Sequence, residues 1–365
     1  MANTWANDRE LFREVERLAD LFEPQLCDAY AAMFSEVIAS AIPGQSAVEL
    51  VERYNQIRKV RTFAGGKVDQ VFVLSRVTLG ADIAVTSVVL DAAKKRFPDA
   101  RIFFVGPMKN WELFDADPAL EHVPLVYGRS GSLADRLKAW PALREAVTAA
   151  RSIVIDPDSR LTQLGLLPVC ADEDYYFFES RSYGGESGAA LPQLTQKWVG
   201  EVFGVHDARA FIATLAATGD PSDVTISLGV GENEAKRVAD PFEGELLRYL
   251  VKRESSILID CGGGGEEAAR VERAVAQCGG AVHMWDGSFA GFAAQIARST
   301  LYVGYDSAGG HAAAACGVPR ISIFGGQASE RMLQRWRPWG TGLVRVIRAE
   351  GPGATLQKVM EALAG

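Results

Sequence analysis

Two stretches of this chain carry residues whose types and spacing suit the holding of an anion. The first is YVGYDSAGGHAAAACGVPRISIFG, running from Tyr302 to Gly325. It reads as a strand, a polar turn, a tightly packed helix and a second strand. Asp306 and Ser307 are helix N-cap types, whose side-chain oxygens accept orphan backbone N–H groups. Ala308 to Cys316 is almost free of side chains, so this helix can lie close to a sheet or a ligand. Gly317-Val318-Pro319 stops it. A helix opening beside Gly309, Gly310 and His311 suits a phosphate, because free N–H groups and the helix dipole both favour negative charge there. His311 either donates to such an anion or is a satisfied core histidine.

The second stretch is Gly262 to Gly265, four glycines between a strand and a helix, followed by Glu266 and Glu267. Glycine lets backbone N–H groups approach a ligand closely, so Gly263 and Gly264 are candidates for a nucleotide bed. The run lacks the GxGxxG order and has no P-loop lysine, so it is neither a dinucleotide nor a Walker signature. A flexible turn is the alternative. Either glutamate suits a ribose hydroxyl or, equally, the stabilisation of a first helical turn.

These residues need a frame, and the chain supplies an α/β one. From Val68 onward, QVFVLS, a helix over about 83–97 and RIFFVG form a strand–helix–strand unit of the kind that builds parallel sheets. SIVID and YYFF add strands, and Leu191 to Phe203 reads as a helix. A second alternation runs from VTISLGV through PFEGELLRYLVKR, SILIDC, EEAARVERAVAQC and AVHMW to LYVGY. The expected organisation is a helical segment over 1–67, a Rossmann-like domain over 68–218 and a second over 219–342. A strand and helix over 343–365 would pack back on the N-terminal domain. Thr218-Gly219-Asp220-Pro221 serves as linker, and ligand is expected at the carboxyl ends of the strands, in a cleft between the domains. In the first segment Leu11, Val15, Leu18 and Phe22 recur at helical steps before Pro24 breaks the run. Tyr30, Phe34, Val37 and Ile38 form a second stripe. Ser46 caps a third helix carrying Val48, Val51, Tyr54 and Ile57. A structural cap or an oligomer contact is the expected role.

With 365 residues the chain can bury two cores. A net charge of −8 argues against general nucleic-acid binding, which needs a basic face. No apolar run approaches the roughly 18 residues that cross a bilayer, and the charged opening MANTWANDRELFREVERL does not read as a signal peptide. Cys27, Cys170, Cys261, Cys278 and Cys316 are scattered without a CxxC pair, which fits reduced thiols in a cytoplasmic protein and no zinc site.

At this point the residues resemble glycosyltransferase family 9, the ADP-heptose-using heptosyltransferases of the GT-B fold. The family's strand–Asp-[Ser/Thr]-Gly-x-x-His–helix–Pro–strand-Phe-Gly segment is similar to Tyr302–Gly325, with Asp306, Ser307 and His311 in register. Its opening strand–Arg-x-Gly-x-x-Gly-Asp, helix and Phe-Pro-Asp-Ala is similar to RVTLGAD, with Arg76 and Asp82 at the same separation, followed by Phe97 to Ala100. The family's lysine after the first strand of its second domain is similar to Lys236, and its acidic pair to Glu266-Glu267. The likeness covers roughly Val68 to Gly340. This chain departs from the pattern at Thr78, where the family has glycine, and at Gly80-Ala81, Val88 and Ala308.

The resemblance implies a GT-B fold of two Rossmann-like domains and an inverting, metal-independent transfer of a sugar. The donor would be a nucleotide-diphosphate sugar, ADP-heptose by likeness, and no cofactor is expected. Asp82 would take the acceptor proton, or else cap the helix that follows it. Lys236 would neutralise the departing diphosphate with His311 beside it, a protonated ring helping more, or Lys236 would be a solvated loop lysine. Arg237 could substitute for it. Asp306, Ser307, Ala308, Gly309 and Gly310 would hold the donor, Asp306 capping the helix while meeting sugar hydroxyls. Arg76 and Thr78 would meet the acceptor: a saccharide, a lipid-linked saccharide at the inner membrane face, or a protein. Asp156-Pro157-Asp158 has metal-site spacing but follows a strand of the wrong domain. A nucleotide-sugar epimerase or hydrolase, and an inert nucleotide-sugar-binding scaffold, are the rival expectations. A homo-oligomer is a further one.

Overall fold

The run Gln70–Leu74 has no polar alternation, the pattern of a strand covered on both faces, and it forms β1 at the centre of a parallel sheet. The computed structural model describes residues 18–128, 131–215, 219–231 and 233–364. β2 (Arg101–Gly106) and β4 (Ser152–Asp156) flank β1, and β3 (Leu120–Pro124) and β5 (Tyr175–Phe177) lie at the edges. The order is β3-β2-β1-β4-β5, all parallel, with Leu74 opposite Val105 and Val73 opposite Ile155. Strand order reverses direction between β1 and β4, which is where a crevice opens at the carboxyl ends of such a sheet.

The helix that returns from β1 starts at Leu79, earlier than expected. A turn Leu79–Ala81 leads into a π-helical turn Asp82–Thr86 and then Ser87–Arg96. Such π turns are rare and recur at functional positions.

The amino-terminal helices are Pro24–Ala41 and Ala47–Ile57. Pro24 opens the first of them instead of only breaking a run, as suits proline where an N–H would be orphaned. Ser46 caps the second by accepting from the Glu49 N–H. Leu11 and Val15 lie outside the described residues. Tyr30, Phe34, Val37, Ile38, Leu50 and Tyr54 share one core with Phe72, Leu74 and Phe177 of the sheet. These helices are therefore an integral layer of the first unit, which spans Met1–Arg209.

The second unit is Ala210–Gly365. Its strands are β6 (Val224–Ser227), β7 (Ile257–Asp260), β8 (His283–Trp285), β9 (Leu301–Tyr305), β10 (Arg320–Phe324) and β11 (Val344–Arg348). They form a parallel sheet of order β11-β10-β9-β6-β7-β8, whose direction reverses between β6 and β9. Both units thus carry the Rossmann strand order. The described part of the 343–365 segment builds on the second unit's own sheet. β11 pairs with β10, and the helix Pro352–Ala364 packs on Phe242–Val251, completing the second core through Ile347 and Val359. Among the described residues no helix is long and apolar enough to cross a membrane.

Candidate functional site

In the second unit the loops after β6 and β9 meet at the point where the strand order reverses. Lys236 ends a short helical turn, Glu234–Lys236, capped by Asn233. Its Nζ lies 2.7 Å from Asp306 Oδ2 and donates to the Asp306 carbonyl at 3.3 Å. The loop after β10 fixes this turn by close approach. A Cβ on Gly326, which has φ +63°, would fall 2.4 Å from the Ala235 carbonyl. One on Gly325 would fall 2.8 Å from that of Lys236.

Asp306 is not the helix cap expected. Its carboxylate turns to Lys236, and Ser307 occupies the N-cap of Ala308–Ala315 in extended conformation without a side-chain cap bond. Ser307 Oγ instead lies 3.4 Å from Tyr302 Oη. The first N–H groups of Ala308, Gly309 and Gly310 therefore lack a side-chain cap, beside a lysine that is only partly covered. Tyr302 explains the glycines around it: a Cβ on Gly309 or Gly304 would lie 2.3 or 2.4 Å from its hydroxyl. His311 is buried, edge-on to Trp336, and burial pushes its pKa down to about 4 against the pull of Asp306. The imidazole is then neutral at pH 7, and a neutral ring carries one donor.

The glycine run is shaped by Glu267. Its Oε1 accepts from the Val230 N–H and its Oε2 from the Gly263 N–H, each at 2.8 Å, so one carboxylate ties the loops after β6 and β7 together. Gly262 has φ +81°, and a Cβ there would lie 2.7 Å from Glu267 Cγ. Each Glu267 oxygen thus carries one backbone hydrogen bond and keeps a second lone pair. Glu266 stays exposed on the first turn of Gly265–Cys278, next to Gly264 and Gly265, around which there is open space. The neighbouring Arg237 guanidinium is held by Asp240 at 2.5 Å and Glu243 at 3.3 Å.

In the first unit Asp82, expected as the base, has no exposed surface. Oδ1 accepts from the Arg76 N–H (2.7 Å) and the Thr86 hydroxyl (2.6 Å). Oδ2 accepts from the Ser75 hydroxyl (2.7 Å) and Asn110 Nδ2 (2.6 Å). Burial raises its pKa and these four donors oppose the rise. Nor does Asp82 cap the helix from outside, because it sits within the π turn. It fixes the turn over Arg76–Thr78, where Val77 has φ +59° and donates its N–H to Ser75 Oγ. Arg76 is buried, donating to the Pro157 carbonyl and Ser180 Oγ, each at 2.7 Å, so its side chain is not presented to an acceptor. Thr78 is partly exposed and makes no cap bond. Asp156 and Asp158 are also buried and bonded, to Thr162 and Tyr175 and to Arg181 and Ser180 respectively.

The structure thus gathers Lys236, Asp306, Ser307, Gly309, Gly310 and His311 in one unit, and Arg76, Thr78 and Asp82 in the other. Ser75, Asn110 and Tyr302 were missed as working parts. Asn110 follows β2 without any periodic signal, and Tyr302 reads only as a strand residue.

Residues 235–363 match the model of glycosyltransferase family 9 (heptosyltransferase). The chain is similar in fold to E. coli heptosyltransferase WaaC with ADP, with TM-score 0.59 and 17% identity over 80% of this chain and 99% of that one. A glycosyl transferase family 9 structure from Veillonella parvula DSM 2008 gives 0.57 and 16% over 81% and 89%. E. coli ADP-heptose lps heptosyltransferase II gives 0.54 and 16% over 81% and 98%. No curated protein sequence matches the chain.

Proposed function

We propose, from the match of residues 235–363 to the glycosyltransferase family 9 model, that the chain moves a sugar from a nucleotide diphosphate to an acceptor hydroxyl with inversion. The second unit holds the donor. The observation that carries this reading is the Lys236–Asp306 pair beside an uncapped helix N-terminus, at the reversal point of a Rossmann sheet. As the glycosidic bond breaks, negative charge grows on the leaving diphosphate, and preset donors favour that state over the ground state. Lys236 supplies the cation, with Asp306 holding it in position. The N–H groups of Ala308, Gly309 and Gly310 supply further donors, and neutral His311 one more. Glu266 is assigned to the ribose. The E. coli relatives named with ADP or ADP-heptose favour ADP-heptose as donor.

In the first unit Asp82 is read as a positioning residue: it sets the Arg76–Thr78 turn at the β1/β4 crevice, leaving the Thr78 side chain for the acceptor. A single displacement inverts the anomeric centre. The test is a thermal-shift panel of ADP-, GDP-, UDP- and CDP-sugars followed by transfer assays on wild type and Lys236→Met. A true donor stabilises by mass action, and the variant is expected to lose at least tenfold in donor affinity and about 10²-fold in turnover. A variant with wild-type turnover overturns the reading. Donor consumption without any acceptor would instead mark a hydrolase or epimerase.

A further inference from the structure

Beyond β5 the chain turns through Phe178 to Tyr183, and its side chains divide between two surroundings. Ser180 and Arg181 are buried against Asp158, Ser180 Oγ donating to Oδ2 at 2.7 Å and Arg181 Nη1 lying 2.5 Å from Oδ1. Glu179, Ser182 and Tyr183 instead line a cavity of about 410 Å³. Its other walls are Asn55, Arg58 and Lys59, at and just beyond the end of the helix Ala47–Ile57, and Trp198 from Leu191–Phe203. The cavity lies wholly within the first unit. Its volume falls in the range of small-ligand sites.

The lining is mixed in a specific way. Lys59 is exposed and has no carboxylate partner among the described residues. Arg58 is held in place by Asp28 at 2.5 Å and by the Tyr54 ring beneath it. Tyr183 is fixed by donating its hydroxyl to Glu201 at 2.6 Å, and Trp198 by Phe178 and Phe203. Glu179 accepts from the Ser182 N–H and hydroxyl, and burial lifts its carboxyl to about 7, so it is partly protonated near neutrality and able to donate. Over a floor of buried Trp198, Tyr183 is the partly exposed aromatic that meets the C–H face of a sugar ring. Asn55, Ser182 and Glu179 suit its hydroxyls, and Lys59 with Arg58 suits one negative substituent.

We propose that this cavity binds a monosaccharide unit carrying a single anionic group, phosphate or carboxylate. The proposal concerns binding by the first unit and stands apart from the donor reading above.

The test is titration calorimetry of the full chain with glucose 6-phosphate, glucuronate, glucose and inorganic phosphate. At least one anionic sugar is expected to bind tenfold or more tighter than glucose and than phosphate alone; which one identifies the anion. Lys59→Glu, a surface change, is expected to weaken that binding at least tenfold with an unchanged melting temperature. Lys236→Ala is expected to leave it intact. Equal binding of glucose and its phosphate, phosphate binding as tightly as the sugar phosphate, or indifference to Lys59→Glu each overturns the proposal. Binding lost only in Lys236→Ala belongs to the other unit and overturns it too.

Discussion

Asp82 separates two mechanisms, because a base and a turn organiser respond oppositely to the same two substitutions. In Asp82→Ala all four donors lose their acceptor. The Ser75 and Thr86 hydroxyls can rotate, but the Arg76 N–H and the Asn110 amide are left buried and unpaired. Each such group costs about 1–3 kcal/mol, so the loss is about 4 kcal/mol. In a unit of this size 1 kcal/mol moves the midpoint by roughly 2–4 °C, so the first unit should melt about 12 °C lower. Asp82→Asn is milder. Placing its amide nitrogen at the Oδ2 position keeps the Arg76 and Thr86 bonds on Oδ1. The new N–H groups can then meet Ser75 Oγ and, after an amide flip, Asn110 Oδ1. That substitution should cost about 1–2 kcal/mol and retain transfer within about tenfold. Differential scanning calorimetry and a transfer assay read both quantities. An Asp82→Asn protein with wild-type melting and a 10²–10⁴-fold loss of turnover, the usual weight of a general base, would refute the organiser argument and restore Asp82 as base.

Acidification should move the two units in opposite directions. The folded pKa values of Glu179 (about 7) and Asp156 (about 6) lie above ordinary carboxylates, so their contribution is full below pH 4 and is lost as pH rises through 6–7. His311 lies below its ordinary value, so its contribution is present above pH 6.5 and is lost as pH falls towards 4. Each shift of Glu179 or His311 corresponds to roughly 3 kcal/mol. Hydrogen exchange resolved by unit, from pH 7.5 to 5, should show the first unit gaining and the second losing, with Glu179→Gln and His311→Gln flattening the respective trends; parallel movement would contradict this. Gly309→Ala drives a Cβ into Tyr302 and should cost about 1–3 kcal/mol, part of it recovered by adding Tyr302→Phe. Lack of recovery in the double variant places the strain elsewhere. Because Lys236 is assigned the diphosphate charge, EDTA should leave transfer unchanged, and a loss restored by added divalent cation would reassign that role.

The strands legible in the sequence were those without polar interruption, such as QVFVL and the IFFV of β2, because a doubly covered strand needs nothing else. β3 was not legible: LEHVP carries a glutamate, a histidine and a proline, which an edge strand tolerates and a pattern search rejects. The Lys236, Ser307 and His311 neighbourhood was legible because residue type and local order suffice to place a cation and a helix N-terminus after consecutive strands. Which carboxylate was free was not legible. Asp82, Asp306 and Glu267 look alike in sequence, yet all three are engaged by partners four to seventy positions away, and only folding reveals the distant ones. A structural role for the N-terminal helices was legible, but not which sheet they cover, because Tyr30 and Phe34 meet it only through long-range packing.

Val77 occupies a left-handed backbone conformation that a β-branched side chain enters only at a cost of about 1–3 kcal/mol. The segment behind β1 is therefore a loaded latch, cocked by the bond from its own amide to Ser75 and by the Asp82 grip on the neighbouring amide. Its resting shape is borrowed from the helix that follows.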